Sequence, residues 1–276
     1  MVPAKGREQK RSRNVGTDQF SIEHRIHDSG YKKLFSNKTF FRQLMETFVH
    51  EDWVKEIDFD SCETLDKSFV SDHYKQTESD LIYRVKLKDQ DLIVFILMEF
   101  QSAPDRWMAL RMLNYISNFY MDLIESNKKQ KELPPLFPIV LYNGSARWTA
   151  PVRFQDLVKQ SQRFGRFGVR FEYFKLAENE YTPEQLLGIR NIVSTLFLAE
   201  TDDHVERLMD ELLYLFDSES DRQAVSMLIN WFRMLAEHDR IEQQDYEKID
   251  TIYRDKSEAR SMLIESIKKS KKEERN

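Results

Sequence analysis

ESDLIYRVKLKDQDLIVFILMEFQSAPDRW, residues 78–107, reads as two apolar strands joined by a tight polar turn. The first strand is expected from Asp80 to Leu87 and the second from Leu92 to Gln101, with Lys88-Asp89-Gln90-Asp91 between them. β-branched and aromatic residues fill both runs, and neither Pro nor Gly interrupts them. The second run, LIVFILMEF, is apolar at successive positions, so it is expected to be a central strand covered on both faces.

That burial makes the acid in it informative. Side chains alternate along a strand, so Glu99 and Gln101 point the same way. A carboxylate at the end of an apolar strand is costly unless something compensates its charge. With the turn at residues 88–91, Asp80 falls at the same end of the hairpin as Glu99 and roughly opposite it. Two close carboxylates repel, and a divalent cation removes the repulsion. The competing reading makes Asp80 a strand-start turn residue and Glu99 the partner of an arginine.

Wider blocks carry a resemblance. Asp80, an apolar hairpin and then Glu99-Phe100-Gln101-Ser102 are similar to the acid constellation of the PD-(D/E)XK nuclease superfamily. HDSGYKKLFSN (27–37), ESDLIYRV (78–85), FILMEFQS (95–102), MALRMLNYI (108–116) and LFPIVLYNG (136–144) resemble, in order and spacing, the recombination-promoting nuclease (Rpn) or transposase-like family. The resemblance implies an α/β fold: a restriction-endonuclease-like core with a mixed central sheet flanked by helices, followed by an α-helical C-terminal region. It implies metal-dependent endonucleolytic hydrolysis of DNA connected with recombination. Asp80, Glu99 and Gln101 would be catalytic. Asp80, Glu99 and the backbone carbonyl of Phe100 would hold Mg²⁺, with Mn²⁺ or Ca²⁺ as alternatives. Gln101 stands where the superfamily motif usually has Lys; its amide can orient a water but brings no charge. Auxiliary candidates are Glu46 near the metal, Arg111 with Tyr115 one turn on, and Lys32 toward a phosphate. The rival expectation is a nuclease-fold module that binds DNA or protein after catalysis has decayed.

Composition bounds these readings. The 276 residues are 32% charged and 41% hydrophobic, as in a folded globular chain, and the net charge of −5 excludes a uniformly basic coat. The single cysteine, Cys62, cannot form an intrachain disulfide, which suits a reducing cytoplasm, and it reads as a small buried hydrophobe. No apolar run approaches the roughly 20 residues that span a bilayer, and no secretory signal is expected.

The rest of the chain falls into place around the hairpin. Residues 1–20 are expected to form a basic arm, 21–180 a nuclease-like domain and 181–276 a helical region. Phe40, Phe41, Leu44, Met45 and Phe48 recur at helical spacing after an Asn37 or Ser36 cap. Edge strands are expected near residues 54–59 and 65–70, and a helix from Pro104 or Asp105 to about Glu125. A buried strand is expected over Ile139–Tyr142, a helix over 154–164 and a further strand over 169–175. Helices follow near 184–200, 203–216, 221–237 and 242–269. They read as an accessory bundle on the core, with a homodimer surface as the alternative. Expected partners are therefore DNA and, on that alternative, a second copy of the chain, with no membrane.

Overall fold

The computed structural model describes residues 29–65, 81–88, 93–201 and 205–237, together with Tyr246, Glu247, Asp250, Thr251 and Arg254. The expected N-terminal arm, a strand at 66–70 and most of the helix over 242–269 lie outside the described residues. A five-stranded mixed sheet runs β1 (Ile57–Thr64), β2 (Leu81–Leu87), β3 (Ile93–Gln101), β4 (Leu136–Tyr142) and β5 (Phe174–Ala177), in that spatial order. β1, β2 and β3 pair antiparallel; β4 and β5 add in parallel, each after a crossover.

β3 is central and covered on both faces, as its unbroken apolar run predicts: only Ile93 and Gln101 are not fully buried. Val94, Ile96, Met98 and Phe100 face one apolar cluster; Phe95 and Leu97 face the other. The first cluster joins the sheet to α1 (residues 29–35), α2 (Lys38–Phe48), α5 (Ile192–Thr201), α6 (Val205–Ser218) and α7 (Arg222–Glu237). The second joins it to α3 (Met108–Ser126) through Met108, Ala109, Met112, Tyr115 and Phe119. Each buried Val, Leu, Ile, Phe or Met contributes about 1.5–3 kcal/mol, so both layers help hold the strand.

Local chemistry sets the element ends. Asn37 caps α2 by accepting from the Thr39 and Phe40 amides. Thr182 and Gln185 form a capping box that opens α4 (Pro183–Ile189), with Pro183 at the first helical position. Pro138, which lacks an amide hydrogen, lies in β4 one residue before its ladder with β5 begins at Ile139.

Several boundaries differ from the sequence reading. The helix expected over 184–200 is two helices, because Arg190 adopts a left-handed conformation with φ of 56° and Asn191 caps a new start by accepting from the Ser194 amide at 2.8 Å. The Ile192 amide donates to Gln43 at 2.7 Å, which ties this break to α2. Val54 lies in a 3-10 turn over Asp52–Glu56, and β1 starts only at Ile57. Residues 154–164 are not one helix but two 3-10 turns, Phe154–Leu157 and Ser161–Phe167, separated by a left-handed Gln160 and kinked at Gly165. The next strand is β5, shifted to Phe174–Ala177. α3 begins at Met108 rather than Pro104 or Asp105. Cys62 is buried, and burial pushes its thiol up to about 12, in keeping with a packing role.

One buried acid lies away from Glu99. Glu178 follows β5, is fully buried, and neither carboxyl oxygen has a well-aligned hydrogen-bond partner among the described residues. Burial pushes it well above the usual carboxylate range, Glu200 adds to the rise, and the Tyr31 hydroxyl reverses it only in part. The fold therefore favours the protonated form. Stability is full below the ordinary carboxylate pKa and falls as pH rises toward the raised folded value, because the unfolded chain gives up its proton first. Glu178→Gln is expected to leave the melting temperature unchanged near pH 4 and to raise it near pH 8. The gain should be on the order of 1 kcal/mol, about 2–4 °C. Equal melting of both proteins across that range would contradict the assignment.

Candidate active site

Glu99 lies near the C-terminal end of β3, where the parallel strands also end, the edge at which open α/β sheets commonly bind ligands. Its side chain is 0% exposed on the α3 face of the sheet. Period-2 alternation puts Gln101 on the same face, and Gln101 Nε2 donates to Glu99 Oε1 at 2.9 Å. Arg111, on the first turn of α3, donates from Nη2 to the same oxygen at 2.8 Å. The other oxygen, Oε2, is buried and has no partner among the described residues.

Arg111 organises the rest. Its Nη1 donates to Asp105 Oδ2 at 2.9 Å, while Nε and Nη2 donate to the Tyr115 hydroxyl at 3.2 and 2.9 Å. Asp105 Oδ1 accepts from the Trp107 amide at 2.8 Å, which fixes the turn that leads into α3. Burial alone would lower the guanidinium's pKa, but its bonds to Asp105 and Tyr115 outweigh that, so Arg111 stays cationic. Its side chain remains 36% exposed, so one side of the cation faces outward while the other neutralises a buried carboxylate.

The structure thus brings together Glu99, Gln101, Arg111 and Tyr115. It adds Asp105, which the sequence reading used only as a helix start. The available signal was a turn acid six residues before an arginine with several donors to satisfy. Asp80 lies outside the described residues; the described β2–β3 ladder ends at Leu81↔Met98, one position short of Asp80 and Glu99. The side chain of Phe100 turns to the opposite face and stacks on Phe35, with ring centroids 5.8 Å apart, leaving only its backbone available to the Glu99 side.

Two candidates lie elsewhere. Glu46 is half-exposed, pairs with Arg42 at 3.1 Å, and lines a groove with Ile57 and Lys88 at the end of the sheet where β3 starts. It is not brought to Glu99, because the seven residues from Ile93 to Glu99 separate the two ends of the strand. Lys32 is half-buried on α1, which packs on the Phe100 face of the sheet, opposite the face of Glu99.

Glu99 Oε2 is the feature that fits a cation: a hard oxygen donor, buried, with no hydrogen-bond donor to satisfy it among the described residues. Among the described residues no group of three or more His, Cys, Asp or Glu could hold a metal ion, so any site here needs a further ligand. No described helix is long and apolar enough to cross a membrane.

Comparison with known proteins agrees with this architecture. The chain is 29% identical over 119 residues to recombination-promoting nuclease RpnD of Escherichia coli O157:H7, covering 43% of this chain and 45% of that protein. It is 26% identical over 121 residues to RpnC of Escherichia coli K12, covering 44% of this chain and 39% of that one. A third relative, 29% identical over 89 residues, covers 32% of this chain and 86% of its own length; it is named "Putative inactive recombination-promoting nuclease-like protein YjiP". The chain therefore spans under half the length of the first two relatives. No solved structure matches the chain. The mixed five-stranded sheet with flanking helices is consistent with the restriction-endonuclease-like fold of Rpn proteins. The family described as "Putative transposase, YhgA-like" matches residues 25–244, most of the sequence, and the chain belongs to that family.

Proposed function

We propose that the chain is a divalent-metal-dependent DNA endonuclease of the recombination-promoting kind. The observation that carries the reading is the buried Glu99 Oε2, unpartnered among the described residues, beside a half-exposed arginine. Continued by one residue, the Leu81↔Met98 register would set Asp80 opposite Glu99 on the same face. The pair would then hold Mg²⁺, with the Phe100 carbonyl as a third oxygen. When bound, such an ion supplies polarisation of a phosphoryl oxygen and a more acidic water.

The chain's own residues do the positioning. Gln101 and Arg111 both hold Glu99 Oε1, which locks the carboxylate's rotation and would leave Oε2 to face a cation. Asp105 and Tyr115 lock Arg111 in turn. The outward side of Arg111 would donate to a phosphate oxygen and offset charge as the leaving oxygen departs. Gln101 uses one amide hydrogen on Glu99 and retains its carbonyl to orient a water.

A second reading has its own support. Arg111 already pairs with both Glu99 and Asp105 without an ion, as in a decayed site, and one relative is named inactive. Plasmid nicking separates the two. Supercoiled DNA incubated with purified protein is expected to be nicked with Mg²⁺ and left intact with EDTA. DNA binding without nicking under any divalent ion would favour the decayed module.

A further inference from the structure

Residues 157–171, LVKQSQRFGRFGVRF, carry four cations and no acid in a chain whose net charge is −5. Lys159, Arg163, Arg166 and Arg170 are all exposed, and none forms an ion pair among the described residues. Among the described residues Arg163 donates to the Gln160 side chain at 3.1 Å, and Arg166 lies over the Phe167 ring at 5.0 Å. Phe167 is 80% exposed, and Val158 and Val169 of the same segment are exposed as well.

The segment is anchored at its base and projects at its tip. Phe154 N donates to Phe171 O at 2.9 Å, Arg153 bridges Glu172, and Tyr173 N donates to Val152 O. Phe154, Leu157 and Phe171 pack on the apolar cluster shared with α3. The base therefore sits on the same face of the sheet as Glu99. Gln160 and Gly165, both at positive φ, fold the projecting part into two tight turns. The result is a projecting element whose cations are not neutralised locally and whose largest ring is left in water.

We infer that this segment grips nucleic acid, with its arginines on backbone phosphates and Phe167 stacked on an unpaired or splayed base. Guanidinium forks match phosphate oxygens, and an exposed aromatic among cations is the pattern of sequence-tolerant strand binding. The inference rests on the nuclease reading only for nucleic acid as the occupant. It assigns binding to an element remote in sequence from the acids, and predicts tighter grip where bases are accessible.

Its test is equilibrium binding by the full chain, with EDTA present, to a labelled duplex and to the matching single strand across a KCl series. The triple variant Arg163→Gln/Arg166→Gln/Arg170→Gln is expected to lose at least about tenfold in affinity, and its salt slope should shrink by about 2–3. Phe167→Ala should weaken single-strand binding about tenfold and duplex binding less. Melting temperatures should not change, since the substituted side chains are exposed. A triple variant with wild-type affinity and slope overturns the inference, even where the wild type cleaves. A wild type that binds DNA through these arginines yet never cleaves supports it while the nuclease reading fails. Wild-type protein that binds no DNA, or binds only phosphatidylglycerol vesicles through these arginines, overturns it.

Discussion

Glu99→Ala is expected to abolish plasmid nicking, with a loss of about 10³-fold or more. The figure follows from the several kcal/mol of charge stabilisation a catalytic cation supplies, at about 1.4 kcal/mol per tenfold in rate. Removal of Glu99 takes away the free Oε2 and the anchor for Gln101 and Arg111 together. Arg111 keeps Asp105 and Tyr115, so it is not left as an unpaired buried charge. Glu99→Gln preserves shape and hydrogen-bonding capacity while removing the charge, and it should be equally inactive with an unchanged melting temperature. Nicking by either variant within tenfold of the wild type would contradict the role given to Glu99.

Gly30→Ala should be strongly destabilising for a single added methyl. A Cβ at Gly30 would stand 2.0 Å from Trp231 Cζ3 and 2.8 Å from Cη2. The indole cannot step aside: it is buried, its Nε1 donates to Glu200 at 3.1 Å, and Tyr31 packs edge-on against it at 5.4 Å. Overpacking of this kind costs about 3 kcal/mol, which lowers the melting temperature by about 6–12 °C. Trp231→Leu should rescue part of the loss in the double variant, since the two changes share one contact. A Gly30→Ala protein that melts within about 2 °C of wild type, on a scale where 1 kcal/mol is about 2–4 °C, would show that α1 is not packed on α7 as described.

The hairpin was legible because its information is local. The apolar run from Ile93 to Phe100 and the alternation that places Glu99 beside Gln101 are period-2 facts about one strand. The caps at Asn37 and Thr182 were legible for the same reason. What failed depended on distant partners. Nothing local in the sequence around Arg190 requires a left-handed residue; the break is held by Asn191 donating to Thr47 and by Gln43 accepting from Ile192, about 150 residues away. The Asp105–Arg111 bond depends on how a turn enters a helix, and spacing alone does not fix that. The basic segment around Phe167 was legible in composition, but a helix was expected over part of it, which hid the exposed tip. Glu46 illustrates the converse: residue type suggested a role near the metal that position does not bring to Glu99.

The direct test of the central claim is an anomalous difference map from crystals of the wild-type protein grown with Mn²⁺. A single peak is expected about 2 Å from one oxygen of Glu99 and one of Asp80. Density for both side chains on the same face with no ion between them, or for Asp80 on the opposite face from Glu99, would contradict it.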